Sequence, residues 1–458
     1  MRLATALNVA LGSSLSALDL VIAASSPAES VRYSCEPCLD RSDYSVKAVV
    51  HGTATDPFWQ QVRSTAVQSA SDMGVTLEMD LSNSFDTETM VRDIGAAVDA
   101  HGSSGGYDAL VVTIPSISVL DAVDQAVKAG VPVFGLNSGD PAQAKSVGVL
   151  DFVASDNKKG GEMAAEEMQK FFSSGGFEKA LFVNDEYGNT AINERLEGFK
   201  EKLGDSVEVT ELSVDGTSSS DMNSKLEGAL DDCSYQAVLL SGTRALQAAV
   251  AAYNSAGCSL SNIPLGAFDT SKEVFDAISS EELAFTVGQQ QALQGALSVH
   301  MAALYASTGK TLALPMDGAY LSGPHLITKE TLPTDPKRIC EDEAFPVCPD
   351  TAAPDGSEPQ CACIERSTIK IGGVTHGHTT DSFWDPVYTA SAQAAQDMGV
   401  ELFNERFSKP EDGTPEEQEA LLHTMMANKI KNLCEDEQVD GLFVSIPSEA
   451  VVSAIEDC

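Results

Sequence analysis

The sequence predicts a parallel α/β fold: two lobes facing a cleft, each a parallel sheet with helices on both faces, followed by the start of a second copy. Three observations lead there. From Val46 onward, short apolar runs alternate without a break with helical patterns of about 10–17 residues, the rhythm of βα crossover units. The first full stretch holds about ten such strands, which two lobes accommodate more comfortably than one sheet. The opening motif also occurs twice: His51-Gly52-Thr53-Ala54-Thr55-Asp56-Pro57-Phe58-Trp59 recurs as His376-Gly377-His378-Thr379-Thr380-Asp381-Ser382-Phe383-Trp384. Asp108-Ala109-Leu110-Val111-Val112-Thr113-Ile114-Pro115-Ser116 recurs as Asp440-Gly441-Leu442-Phe443-Val444-Ser445-Ile446-Pro447-Ser448. A repeat this long is a duplicated domain and not a solenoid, whose period is roughly 20–50 residues.

Taken in order, Val46–Val50 reads as a buried strand and Phe58–Met73 as a helix, with Pro57 at its first position and Asp56 as its cap. Val75–Met79, Ala109–Ile114 and Val131–Leu136 read as strands, separated by helices over Thr87–Ala100 and Val119–Ala129. The rhythm continues with strands at Ala180–Asn184, Val207–Leu212, Ala237–Leu240, Leu265–Phe268 and Ala284–Val287. Thr331–Arg366 is rich in Pro, acid and Cys and has no periodicity, which marks a linker. Ile369–Cys458 restarts the pattern with three strands and three helices, and its first helix carries Phe383-Trp384.

The implied organisation is a leader over 1–30, a cysteine-bearing lead over 31–44 and a two-lobed domain over 45–330. Its lobes lie roughly at 45–152 and 153–289, with the chain crossing back afterwards. A linker over 331–366 leads to the first part of a second domain over 367–458. Leu3–Leu18 is apolar behind Met1-Arg2, and small residues follow at Ala23-Ala24-Ser25-Ser26, the features of a secretory signal. The chain is expected to be a fragment of a longer tandem protein, with one ligand per chain bound in 45–330.

The 458 residues carry a net charge of −40, spread along the chain. Such a field repels phosphate backbones and anionic lipid, so no nucleic-acid partner is expected. The 10 cysteines suit an oxidising compartment. Cys233 with Cys258, and Cys434 with Cys458, each bracket a strand–helix unit whose two ends return to one sheet edge, so a disulfide is geometrically reasonable in both. Cys35-Glu36-Pro37-Cys38 has zinc-like or redox-like spacing without a nearby His. His376 and His378 sit on a strand-end loop, where the first copy has Thr53 in place of His378. No glycine-rich nucleotide loop and no nucleophile elbow occur, and no cofactor is expected.

Polar and aromatic residues gather after strands, where open α/β folds place ligands. Asp56, Phe58 and Trp59 follow the first strand. The aromatic pair reads either as core of its helix or as flat faces for a sugar ring whose hydroxyls meet the carboxylate. Asn137-Ser138-Gly139 follows another strand, Asn189 and Arg195 flank a helix start, Asp269 ends Leu265–Phe268, and Gln289 and Gln290 end the next strand. Together they form a set of groups suited to hydroxyls and carbonyls.

These residues resemble the type 1 periplasmic binding proteins of the ribose-binding class, the simple-sugar substrate-binding proteins of bacterial ABC transporters. The resemblance covers roughly 45–330 and again 367–458. It rests on Asp56-Pro57-Phe58-Trp59, on Gly130-Val131-Pro132-Val133 running to Asn137-Ser138-Gly139, on Ala154-Ser155-Asp156-Asn157, on Arg195-Leu196-Glu197-Gly198-Phe199, and on Phe268-Asp269 with Gln289-Gln290-Gln291. It implies that the aromatic pair stacks on the ligand, that Asp56, Arg195 and Asp269 bind it, and that Gln289 lies at the hinge. It also implies a secreted, non-enzymatic protein that closes on a monosaccharide or polyol, read by a membrane transporter or a receptor. Asn137-Ser138 replaces the Asp-Arg of ribose binders, and Gly242 lies where they have a nearby Asn, which points away from ribose itself. An enzyme or a signalling ectodomain on the same fold is the alternative reading, with Asp56 and Asp269 as the acid/base pair an enzyme would need.

Overall fold

The computed structural model describes residues 31–32, 38–172, 176–258, 263–309, 311, 318–332 and 366–458. The leader expected over 1–30 and nearly all of the linker expected over 331–366 lie outside them. The chain forms two compact units, one within residues 40–364 and one built from 366–458 with the strand Val31–Arg32.

The larger unit begins with β1 (Ser45–Val49), α1 (Pro57–Met73), β2 (Thr76–Met79), α2 (Thr87–Ala100), β3 (Ala109–Val112), α3 (Ile117–Lys128), β4 (Val133–Leu136), α4 (Pro141–Ser146) and β5 (Phe152–Ser155). It continues with α5 (Asn157–Lys170), β6 (Lys179–Asn184), α6 (Thr190–Leu203), β7 (Glu208–Ser213), α7 (Ser219–Leu230), β8 (Ala237–Leu240), α8 (Leu246–Ala256), β9 (Leu265–Phe268), α9 (Lys272–Ser279) and β10 (Phe285–Gly288). α10 (Gln291–Thr308), β11 (Tyr320–Gly323) and β12 (His325–Thr328) complete it. Two six-stranded sheets result, in the orders β11-β5-β4-β3-β1-β2 and β12-β10-β9-β8-β6-β7. Every pairing in the first is parallel; in the second only β12 runs antiparallel, against β10.

The central strands are buried on both faces, which is why they read as unbroken apolar runs. In β3, Val111 joins the core under α1 and α10, while Leu110 and Val112 join the core under α2 and α3. In β8 of the second lobe, Leu239 faces α5 and α6, and Val238 and Leu240 face α7, α8 and α9. Helix starts follow local chemistry: the Asp56 carboxylate accepts from the Phe58 N–H at 3.0 Å with Pro57 behind it, and Asp86, Asp140, Asp156 and Asn189 cap α2, α4, α5 and α6.

The lobes are joined by three crossings, at Ser155–Asn157, at Gly288–Gln291 and at Gly323–His325. After the second crossing α10 packs on the first lobe, where Val299, Met301 and Ala302 enter its core. β11 then closes the first sheet and β12 the second. Strands β5, β11 and β12 go unread in the sequence. Cys233 and Cys258 are joined, with Cα atoms 5.9 Å apart, across the β8–α8 unit. Closing a loop of this size stabilises by roughly 3 kcal/mol.

The smaller unit contains β13 (Lys370–Val374), α11 (Asp385–Met398), β14 (Glu401–Arg406), α12 (Pro415–Glu435), β15 (Gly441–Val444) and α13 (Glu449–Glu456). Its sheet runs Val31–Arg32, β14, β13, β15, and the first of these strands pairs antiparallel with Glu405 and Arg406. Part of the lead expected ahead of the first domain is therefore an edge strand of this unit. Cys434 and Cys458 are joined, with Cα atoms 5.6 Å apart. Phe383 and Trp384 precede α11 and do not lie within it. Pro386, absent at the matching position of the first copy, can stand only in the first turn and delays the helix. Among the described residues, no helix is long and apolar enough to cross a membrane.

Candidate functional site

The two lobes of the larger unit meet over a cavity of about 40 Å³. The first lobe supplies His51, Asp56, Phe58, Trp59 and Asn137; the second supplies Asp185, Glu186, Asn189, Arg195, Ser241, Thr243, Arg244, Asp269 and Gln289. Apart from Arg195 in α6 and the helix-start residues Phe58 and Trp59, these follow the carboxyl ends of β1, β4, β6, β8, β9 and β10.

The aromatic pair belongs to two environments. Phe58 and Trp59 are 5 % and 3 % exposed and belong to the first lobe's core, yet both line the cavity. The Trp59 ring meets the His51 ring edge-on with centroids 4.7 Å apart, and Phe58 edge-on at 5.1 Å. A Cβ on Gly52 would lie 2.2 Å from the indole, so glycine is what lets the indole lie on the backbone there. The smaller unit repeats the arrangement. His376 meets Trp384 at 5.0 Å, Phe383 meets it at 5.3 Å, and a Cβ on Gly377 would lie 2.0 Å from the indole. His51 Nδ1 bonds the Thr113 hydroxyl at 2.8 Å, and His376 Nδ1 bonds the Ser445 hydroxyl at 2.8 Å. The duplicated motif is thus a packing unit first. Gly52→Ala is expected to displace the indole and cost about 1–3 kcal/mol in denaturant unfolding; a change below 0.5 kcal/mol would show that the ring yields freely.

Arg195 is 5 % exposed and held from three sides. Its Nε donates to Asn157 Oδ1 at 3.1 Å, its Nη1 donates to the Ser241 carbonyl, and its guanidinium carbon sits 4.5 Å from the Phe268 ring centroid. Asp269 accepts from the Gln289 amide. Asn137 lines the cavity and donates to Gln294 Oε1 at 3.0 Å. Asn137 and Asp269 both adopt left-handed backbone, φ 61° and 73°, where Asn and Asp are the residues best tolerated outside glycine. Ser138 does not line the cavity; its hydroxyl donates to Asn189 Oδ1 at 2.8 Å across the cleft. Gln290, expected beside Gln289, is exposed and outside the lining. The strand ends at Gly288, and the φ of 53° at Gln290 turns the chain away into α10.

Sequence reading passed over His51, Asp185, Glu186, Ser241, Thr243 and Arg244. All but His51 sit just beyond β6 and β8, so the strand-end rule applied to every strand would have found them. Arg244 is the centre of this group: its Nε lies 3.0 Å from Asp185 and 3.6 Å from Asp56, and its Nη2 lies 3.4 Å from Glu186. The Asp56 contact joins the lobes, as do Asn189 Nδ2 with His51 Nε2 at 3.2 Å and Gln61 with the Thr270 carbonyl at 3.1 Å. Two buried atoms on the cavity wall, Gln289 Oε1 and Thr243 Oγ1, have no hydrogen-bond partner among the described residues. Such atoms call for an outside partner.

Burial sets the protonation pattern. It pushes Asp56 up to about 7, partly offset by Arg244 and reinforced by Asp185, Asp269 and Glu186. It also raises Asp269, against Arg195 and the Gln289 amide, and raises Glu194 to about 7. Burial works against the Asp185 charge too, but Arg244, the Ser241 hydroxyl and Arg195 outweigh it and hold that carboxyl low. Burial lowers His51 to about 4 against the pull of Glu186.

Asp56, Asp269 and Glu194 keep protons in the folded state that they release when unfolded. Their contribution to stability is full below the ordinary carboxylate range and is lost as pH rises, through about 7 for Asp56 and Glu194 and in the same direction for Asp269. His51 acts oppositely: its contribution is present above 6.5 and lost as pH falls through about 4. The Asp185 contribution is lost only below 3.8. With three groups against one, the ligand-free protein is expected to be more stable at pH 5 than at pH 7.5. Asp56→Asn should narrow that gap by about 2–3 kcal/mol; an unchanged gap in paired thermal melts would sink the assignment.

Residues 47–311, more than half of the chain, match the family model for the periplasmic binding protein domain. The chain belongs to that family. Among curated proteins it is similar to the ribose import binding protein of Bacillus subtilis, with 28% identity over 256 residues, 55% of this chain and 78% of the relative. Among solved structures it is similar to a carbohydrate transporter protein of Acidothermus cellulolyticus in complex with myo-inositol, at 27% identity and a TM-score of 0.56, covering 63% of this chain and 95% of the other. A Caulobacter myo-inositol binding protein, 20% identical with a TM-score of 0.55 over 64% and 95% of the two chains, shares the fold.

Proposed function

We propose that the chain binds a small, hydroxyl-rich molecule, a monosaccharide or cyclitol, between the lobes of residues 45–330 and closes on it by hinge motion. The carrying observation is the cavity wall. An aromatic pair from one lobe meets amide, carboxylate and guanidinium groups from the other, and two buried acceptors, Gln289 Oε1 and Thr243 Oγ1, stay open. A sugar ring needs an apolar face and hydrogen-bonding edges together. The ribose import relative and the neighbour holding myo-inositol support the reading. Asp56, Phe58, Trp59, Asn137, Asn189, Arg195, Asp269 and Gln289 are the binding residues in this proposal, now with His51, Asp185, Glu186 and Arg244. Ser138 positions Asn189.

The closed state is stabilised by what the ligand adds across the cleft. The protein so described is secreted and not an enzyme, a membrane transporter reads its closed form, and residues 367–458 repeat the opening βα units of that binding domain. A thermal-shift screen of neutral monosaccharides and cyclitols tests the binding. A true ligand at 100 times its Kd adds about 2.7 kcal/mol. No stabilisation by any of them would overturn the proposal, and release of a new product from an incubated sugar would favour an enzyme.

A further inference from the structure

Arg244 lines two spaces at once. On one side is the cavity of about 40 Å³; on the other is an outer pocket of about 370 Å³. The outer pocket also joins the lobes, with Thr55 and Pro57 from the first and Thr217, Ser219, Gln247 and Ser271 from the second. A water occupies about 10–15 Å³ on such a scale, so the inner space takes a few waters with Arg244 where it stands. A ring sugar fits only if the lobes part or a wall moves, and the guanidinium is a wall shared with the outer pocket.

Three details support a movable partition. A Cβ on Gly216 would come within 2.9 Å of the guanidinium, so a glycine clears the ground beside it. Thr243 also lines both spaces, and its buried hydroxyl has no partner among the described residues. The outer lining mixes hydroxyls, one amide and the Glu273 carboxylate with the apolar surfaces of Pro57, Met222 and Leu246, the surface chemistry that takes a sugar ring.

We propose that Arg244 is a gate and the outer pocket a second sugar subsite, so that the preferred ligand is a neutral disaccharide or glycoside with one ring on each side of Arg244. This rests on the sugar-binding reading above. Withdrawal of Arg244 toward Asp185 would leave the Asp56 carboxyl free for the hydroxyls of the inner ring.

Calorimetry with D-glucose, D-galactose, D-ribose and myo-inositol beside maltose, cellobiose and lactose tests it. At least one disaccharide is expected to bind tenfold or more tightly than its component monosaccharides. Filling the outer pocket with Gln247→Trp, or independently with Ser219→Trp, is expected to weaken that disaccharide at least tenfold while monosaccharide affinity stays within twofold. Monosaccharide binding with no gain from a second ring would overturn the subsite and leave the sugar reading standing. So would fillers that weaken both classes equally or neither. No binding by any saccharide would overturn both.

Discussion

Replacing Trp59 with alanine is expected to destabilise the larger unit by about 3–5 kcal/mol and to abolish ligand binding at the same time. The indole is 3 % exposed, lies on the Gly52 backbone and takes the His51 ring at its edge. Its removal opens a hole that a rigid βα turn cannot close. It also frees His51, whose Nε2 faces Asn189 and Glu186 from the other lobe. The sequence alone allowed a pure stacking role, in which the alanine variant folds normally and only fails to bind. The buried packing argues for both roles. Trp384→Ala offers the contrast: that indole keeps the His-ring contact and the close glycine but is only half-buried beside an exposed Phe383, so a smaller cost is expected in denaturant unfolding of the smaller unit. A Trp59→Ala protein with wild-type stability and no binding would return the ring to a purely ligand-facing role.

Much of this was legible in the residues. The βα rhythm placed nine strands of the larger unit to within a residue or two, because the central parallel strands are short apolar runs buried on both faces and the edge strands Thr76–Met79 and Glu208–Ser213 fall in step between helices. The repeated His-Gly motif pointed to one local geometry before any coordinates. What stayed hidden was hidden for physical reasons. The strand Tyr320–Gly323 has one fully buried residue in four, Ser322, and a polar residue at that place gives no apolar signal. Arg244 could be placed by the strand-end rule, but its role could not be read. An arginine after a strand resembles any exposed loop cation, and only the convergence of Asp185 and Glu186 from a neighbouring strand end with Asp56 from the other lobe makes it a buried hub. Gln290 was misplaced because standing at a strand's end says nothing about where the chain turns next.

That hub yields the second large effect. Arg244→Ala is expected to destabilise the larger unit by about 3–5 kcal/mol at pH 7.5, since breaking a buried ion pair leaves its partners charged and unpaired. Asp185 bears most of this. It is 4 % exposed and closest to the guanidinium, and Arg244 is the strongest influence holding its carboxyl low against burial. The loss is expected to shrink at pH 5, because carboxyls without the arginine take up protons and become neutral. Two double variants locate the cost. Arg244→Ala with Asp185→Asn should recover most of the stability, whereas Arg244→Ala with Asp56→Asn should recover little, since Asp56 is the more distant partner at 3.6 Å and already titrates near 7. Equal recovery by both would mean that the cross-lobe pair matters as much as the pair within the lobe, and that lobe closure, not the second lobe's own fold, depends on Arg244. Arg244→Ala within 1 kcal/mol of wild type at pH 7.5 would show that the three carboxyls are already solvated, and the buried hub would then have no energetic weight.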